Sequence, residues 1–305
     1  MTPENESVYE GDTISTLKAM KQQELRYACK DYCILHASDK NSKTLREDRK
    51  LMVKWCYNVL DFFNLHRETG AIAMAYVDRY LQTPFGPEYL QDTDKYQLLC
   101  ITSLYLAIKV HESPTLTPGA FVEIGRGHYS ADQIVALESK ILEGLQWRVN
   151  PPTALSFVRH LLDLVPSMAH DDGIKATAYM LARAQTERAI GEQGLMTVAP
   201  SKIAFVAVRN ALEALGYSDF PLYDACQHFY SKPFLYQEAH DLRPILYTAI
   251  NWEIAKMDLV PNEQRTSNNG NNNNQPAPNK ASRETFLENT TPRSVASSSL
   301  MAGSF

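Results

Sequence analysis

Lys109 is a lone charge near the end of an apolar run. From Tyr96 to Val110 the other polar members are only Gln97, Thr102 and Ser103. An ammonium so placed either marks where a helix reaches solvent or waits for a group outside the chain. Other chemistry is hard to assemble. Neither usual glycine-rich phosphate loop occurs, nor HExxH, nor a paired CxxC. Cys29, Cys33 and His36 lie at helix-compatible spacing, but a structural zinc site needs four ligands and no fourth is evident. An ordinary helix face is the plainer reading. The eight histidines do not cluster, and the serines near them lack a nucleophile's setting. The residues therefore point to a binding module with no catalytic site, metal or cofactor.

The elements that position Lys109 read as helices almost throughout. Met52, Trp55, Val59 and Phe62 recur on one helix face, and "ETGAIAMAYVDRYL" gives a second helix with Ile72, Tyr76, Val77 and Tyr80. The run Tyr96 to Val110 is apolar on most sides, so neighbours must surround it. Pro118 suits the first turn of a short helix that stops at Gly125. Ser130 caps a fifth helix carrying Ile134, Leu137, Ile141, Leu142 and Leu145. After "VNPPT" the scheme repeats, with helices near 153–165, 172–190, 200–215, 219–230 and 234–256. The expected architecture is all-α: an N-terminal extension over 1–40 with a helix near 12–33, five-helix domains over 41–150 and 151–260, and an Asn/Ser-rich tail over 261–305. That tail is expected to be disordered, being too poor in apolar surface to offset its ordering entropy.

Composition narrows the class. The chain has 305 residues, 44% of them hydrophobic, enough for two ordinary domains with real cores. A formal charge of −5 and a pI near 5.9 give no basic footprint for nucleic acid. The five scattered cysteines fit a reducing compartment. The acidic N-terminus "MTPENESVYEGD" is unlike a secretory leader, and the longest apolar run is too short to span a bilayer, so no membrane role is expected.

The stretch from Arg49 to Val149 resembles the cyclin box. "RKLMVKWCYNVLDFFNLHRETGAIAMAYVDRYL" is similar to that family's opening two helices, and "YQLLCITSLYLAIK" to its central helix. "YSADQIVALESKILEGLQWRVNPPTALSFV" is similar to its fifth helix and exit. Five positions nearly invariant in the family are matched by Arg49, Asp78, Leu98, Lys109 and Glu138. The second half matches more loosely, by helix count and the "PPTALSF" opening.

The resemblance implies a regulatory subunit that binds and activates a cyclin-dependent protein kinase. It implies that Lys109 and Glu138 hydrogen-bond the kinase, amid contacts from Leu106, Val110, Leu142, Trp147 and Val149. It also implies an internal ion pair between Arg49 and Asp78. The plainer alternatives from the residues alone are an internal salt bridge for Lys109 and Glu138, two surface charges for Arg49 and Asp78, and core packing for Leu142 and Trp147. By the same resemblance Leu51, Met52, Trp55 and Gln97 preserve a groove that recruits kinase substrates. Asp48 stands where a methionine is common, and Asn58 where a glutamate often receives a basic residue, so altered groove recognition is expected. His111 and Glu112 stand where two acidic residues often follow the lysine. A histidine there is either solvated or a source of mild pH dependence.

The expected function is a cyclin of the cell-cycle type, not itself an enzyme, acting in nucleus and cytoplasm. Two alternatives share the fold. A transcription factor of the IIB-like kind predicts a basic surface and a zinc ribbon, where this chain is acidic. A non-activating scaffold predicts loss of Lys109 and Glu138.

Overall fold

The computed structural model describes residues 3–32, 39–113, 115–165, 172–217, 220–227, 229–232 and 234–259. The tail over 261–305, Cys33 and His36 lie outside the described residues. The chain is all-α, as its periodicity predicts, with no strand among the described residues. It divides into two compact units: residues 29–151 with 190–197, and residues 3–28 with 152–189 and 198–259, counting what is described.

The first unit holds α2 (Asp39–Phe62), α3 (Glu68–Tyr80), α4 (Pro87–Leu90), α5 (Thr93–His111), α6 (Pro118–Ile124) and α7 (Ala131–Gly144). Helix α5 is its axis and packs against each of the other five. Every residue of α5 from Leu99 to Ile108 is buried. Its start is fixed by Asp92, whose carboxylate accepts from the amides of Asp94 and Lys95. Ser130 and Gln133 form a reciprocal capping box at the start of α7. Close approach brings α7 onto α3: a Cβ at Gly144 would meet the Tyr80 ring at 3.0 Å. The four-residue α4 and its approach from Gly86 are not legible in the apolar pattern, being too short to show a period.

Beneath this packing lies a buried charge cluster. Arg49 on α2 meets both carboxylate oxygens of Asp78 on α3, Nη2 lying 2.9 Å from Oδ2. The Tyr32 hydroxyl donates to Asp78 Oδ1 at 3.0 Å, and Arg49 Nε donates to the carbonyl of Ile190 at 3.0 Å. Both charged residues are buried, which excludes the surface reading. Burial alone lowers the affinity of the guanidinium for its proton. The Asp78 carboxylate more than offsets that, and Arg49 is held well above the usual arginine range.

The second unit holds α1 (Pro3–Glu24), α8 (Ala154–Asp163), α9 (Asp172–Gly191), α10 (Pro200–Ala214), α11 (Phe220–Cys226) and α12 (Ala239–Leu259). Helix α1 packs on α8, and α10 is enclosed by α8 and α12. No side chain of Ala199 can cap α10. Instead the buried Glu24 carboxylate accepts from Ser201 N at 3.0 Å and Ser201 Oγ at 2.6 Å. A single π turn, Phe234–Glu238, leads into α12.

Removing one member of the Arg49–Asp78 pair leaves the other charge buried without compensation. Asp78→Asn, which keeps the shape, is expected to cost about 3–5 kcal/mol in urea denaturation. A loss below about 1 kcal/mol would show that the pair is dispensable.

Candidate functional site

Helix α5 is enclosed up to Ile108 and reaches solvent one residue later. Lys109 lies at that exit, with its ammonium Nζ 2.8 Å from Glu138 Oε1 on α7. The pair is asymmetric: the lysine side chain is 51% exposed and the carboxylate 8%. The Glu138 hydrogen bond, opposed by slight desolvation, holds Lys109 above the usual lysine range. The Tyr105 ring lies 5.6 Å beneath the ammonium. The residues form a salt bridge, and its cationic end faces solvent.

Around that pair the apolar side chains divide. Val110 and Trp147 are exposed, Leu142 and Val149 are half-buried against the core, and Leu106 is fully buried. Leu106 therefore underlies the surface. It precedes the point at which α5 emerges, and its four-residue spacing from Val110 gives a shared helix face but not a depth. The sequence reading omitted Val135, an exposed apolar residue three positions before Glu138. Its signal was available, since Val135 and Leu142 flank Glu138 at the edge of the buried face formed by Ile134, Leu137 and Ile141.

Trp147 is the most informative of these residues. It is 70% exposed, and it follows Gln146 in a left-handed backbone, with φ of 58° and 53°. Such conformations cost non-glycine residues about 1–3 kcal/mol each and persist only where surroundings enforce them. The enforcement is visible. Trp147 N donates to the Leu142 carbonyl at 2.9 Å, and Arg79 donates to the carbonyls of Arg148 at 2.6 Å and Leu145 at 3.2 Å. The Tyr76 hydroxyl donates to the Val149 carbonyl at 2.5 Å, with His111 Nε2 at 3.0 Å from the same oxygen. His111 is thus engaged with the exit of α7. The Glu112 side chain is buried and accepts from His66 N at 3.0 Å and from Thr69 Oγ1 at the start of α3.

The remaining candidates lie elsewhere. Leu98 is half-buried against the core. Of the groove set, Met52, Trp55 and Gln97 are buried and only Leu51 keeps partial exposure. Met52 and Trp55 belong to the apolar stripe that α2 turns inward, so the core takes them. The Trp55 indole N–H finds no acceptor there. Among the described residues no group of His, Cys, Asp and Glu could hold a metal, and no helix is long and apolar enough to cross a membrane. Burial pushes the thiols of Cys29, Cys56 and Cys226 up to about 12, which leaves them unreactive.

Residues 15–150 match the family model for the N-terminal domain of cyclins. The relative C13-1 of Daucus carota, a G2/mitotic-specific cyclin, is 27% identical over 202 residues, 66% of this chain and 56% of that protein. The family-model match places residues 15–150 in the cyclin N-terminal domain family. Cyclin-B1-1 of Oryza sativa subsp. japonica is 31% identical over 165 residues, 53% of this chain and 35% of that protein. The chain thus spans from about a third to somewhat over half the length of these cyclins. A viral cyclin from herpesvirus saimiri superposes with a TM-score of 0.53 at 13% identity, over 68% of this chain and 85% of that one. A chain of the CAK complex from Chaetomium thermophilum, bound to ATP-γ-S, gives 0.51 at 12% identity, over 99% and 89%. Both likenesses are of fold.

Because Trp147 projects from the cyclin box into solvent, Trp147→Ala is expected to shift stability by no more than about 0.5 kcal/mol. Thermal and urea unfolding check this. A loss of about 3 kcal/mol or more would mark Trp147 as core.

Proposed function

We propose that this cyclin binds and activates a cyclin-dependent Ser/Thr protein kinase in cell-cycle control, acting in nucleus and cytoplasm without catalysis of its own. The observation that carries this reading is the Lys109–Glu138 pair, half in solvent and flanked by exposed Val110, Val135 and Trp147. Aromatic and aliphatic anchors around a few polar groups are the composition of an interaction hot spot. The naming of relatives as G2/mitotic-specific cyclins supports the cell-cycle assignment.

Activation works by population shift. A free kinase holds its regulatory helix turned out, which separates the catalytic lysine from its glutamate partner and leaves the activation segment obstructive. A surface that binds only the turned-in state draws the equilibrium towards it. Moving a 1:99 balance to 99:1 takes about 5.5 kcal/mol of differential binding, within reach of a few hot-spot residues. Rigidity matters here. The pinned turn at 145–149 presents Trp147 in a fixed position, so little ordering cost remains to be met on binding.

The test is capture of a kinase from native extract by the purified chain, followed by assay of the captured activity on a histone-type substrate. Kinase activity is expected with the unaltered chain, with capture reduced by roughly tenfold or more for Lys109→Ala/Glu138→Ala. No captured kinase, or equal capture by the double variant, would contradict the reading.

A further inference from the structure

The surface around Lys109 is carried by two separate pieces of chain. Lys109 lies in the last turn of α5, and Trp147 lies on the turn that leaves α7. Such a surface meets a partner without ordering cost only if something fixes one piece against the other. His111, two residues beyond Lys109 on the same helix end, makes that connection. Its Nε2 lies 3.0 Å from the Val149 carbonyl oxygen and 3.1 Å from the Tyr76 hydroxyl.

The hydrogens of this cluster can be assigned. A carbonyl oxygen has no proton to give, and Tyr76 spends its one hydroxyl proton on that same carbonyl at 2.5 Å. Both groups facing Nε2 therefore accept, so Nε2 carries a hydrogen and His111 donates. The carbonyls of Leu145, Arg148 and Val149 are also held by Arg79 and Tyr76, but both of these belong to α3. They set the turn against α3, whereas His111 sets it against the helix end that bears Lys109. The backbone from which His111 reaches is itself fixed, because the neighbouring Glu112 carboxylate accepts from His66 N and Thr69 Oγ1. Tyr76 is fully buried, so its loss would disturb the core as well. His111 is exposed, and its ring can be removed without opening a cavity.

We propose that His111 is a positioning residue for kinase docking: its Nε2 hydrogen, donated to the Val149 carbonyl, holds the Trp147 turn in register with Lys109. The proposal rests on the kinase-binding reading above, and the first arm of its test needs no kinase, so the two can fail separately. In that arm amide hydrogen exchange of the full chain is followed by NMR. The amide of Trp147 donates to the Leu142 carbonyl and reports whether the turn is closed. His111→Ala is expected to speed its exchange by about tenfold or more, while amides of residues 104–107 at the centre of α5 keep their rates. His111→Gln, whose amide nitrogen stands where Nε2 stood, should restore the protection. In the second arm the kinase activity captured from native extract is compared for the unaltered chain, His111→Ala, Trp147→Ala and the double variant. His111→Ala should lower capture by about fivefold, and should lower it no further in the Trp147→Ala background, because it acts through that side chain. Unchanged exchange at Trp147, equal acceleration throughout α5, or failure of His111→Gln to rescue would overturn the positioning. Undiminished capture by His111→Ala, or a full further loss in the Trp147→Ala background, would overturn its use in docking. A chain that captures no kinase contradicts the functional reading, and the exchange rates still decide what His111 does to the turn.

Discussion

A helix that is apolar around most of its circumference has to be enclosed, and α5 is buried on every side from Leu99 to Ile108. The other helices of the first unit are arranged as its walls. This constraint also decides where the unit can offer chemistry. A charged group on α5 can reach solvent only at its ends, and the two ends are used differently. The C-terminal end releases Lys109 beside Glu138. The N-terminal end, capped by Asp92, borders the recess that holds Asp48.

Two buried carboxylates in this unit show how context sets the worth of a charge. Asp78 is met by a guanidinium fork and a tyrosine hydroxyl, so its oxygens are satisfied within the fold. Asp48 is nearly as buried and has no such partner among the described residues. The first pair joins α2 to α3 and sets how those helices meet. The second has only the edge of the recess beside it, and burial raises its carboxyl above the usual range.

Much of the fold was legible because its signals are local. Helical periodicity gave the order of the long helices, and Ser130 gave the start of α7. What escaped was either too short for a period, as with α4, or non-local, as with Glu24 capping α10 across 177 residues. The N-terminal helix also begins at Pro3 and ends at Glu24, well before the predicted 33, because its apolar pattern is weak. The candidates Lys109, Glu138, Val110 and Trp147 come from the resemblance, which carries no information on depth. Spacing fixes a face but cannot tell a residue beneath a surface from one on it, so Leu106 and the groove residues Met52, Trp55 and Gln97 came out buried. The left-handed turn at Gln146–Trp147 carries no glycine to betray it. It is enforced by Arg79, Tyr76 and His111 from helices far earlier in the chain.

The central claim is that a partner kinase seats on the surface around Lys109 and Glu138. Oxidative footprinting of Trp147, in the chain alone and with a bound kinase, addresses it directly. The exposed indole is readily modified in the free chain on this account and strongly protected in the complex. Unchanged modification of Trp147 with a kinase stably bound would contradict it, because the kinase would then occupy some other face.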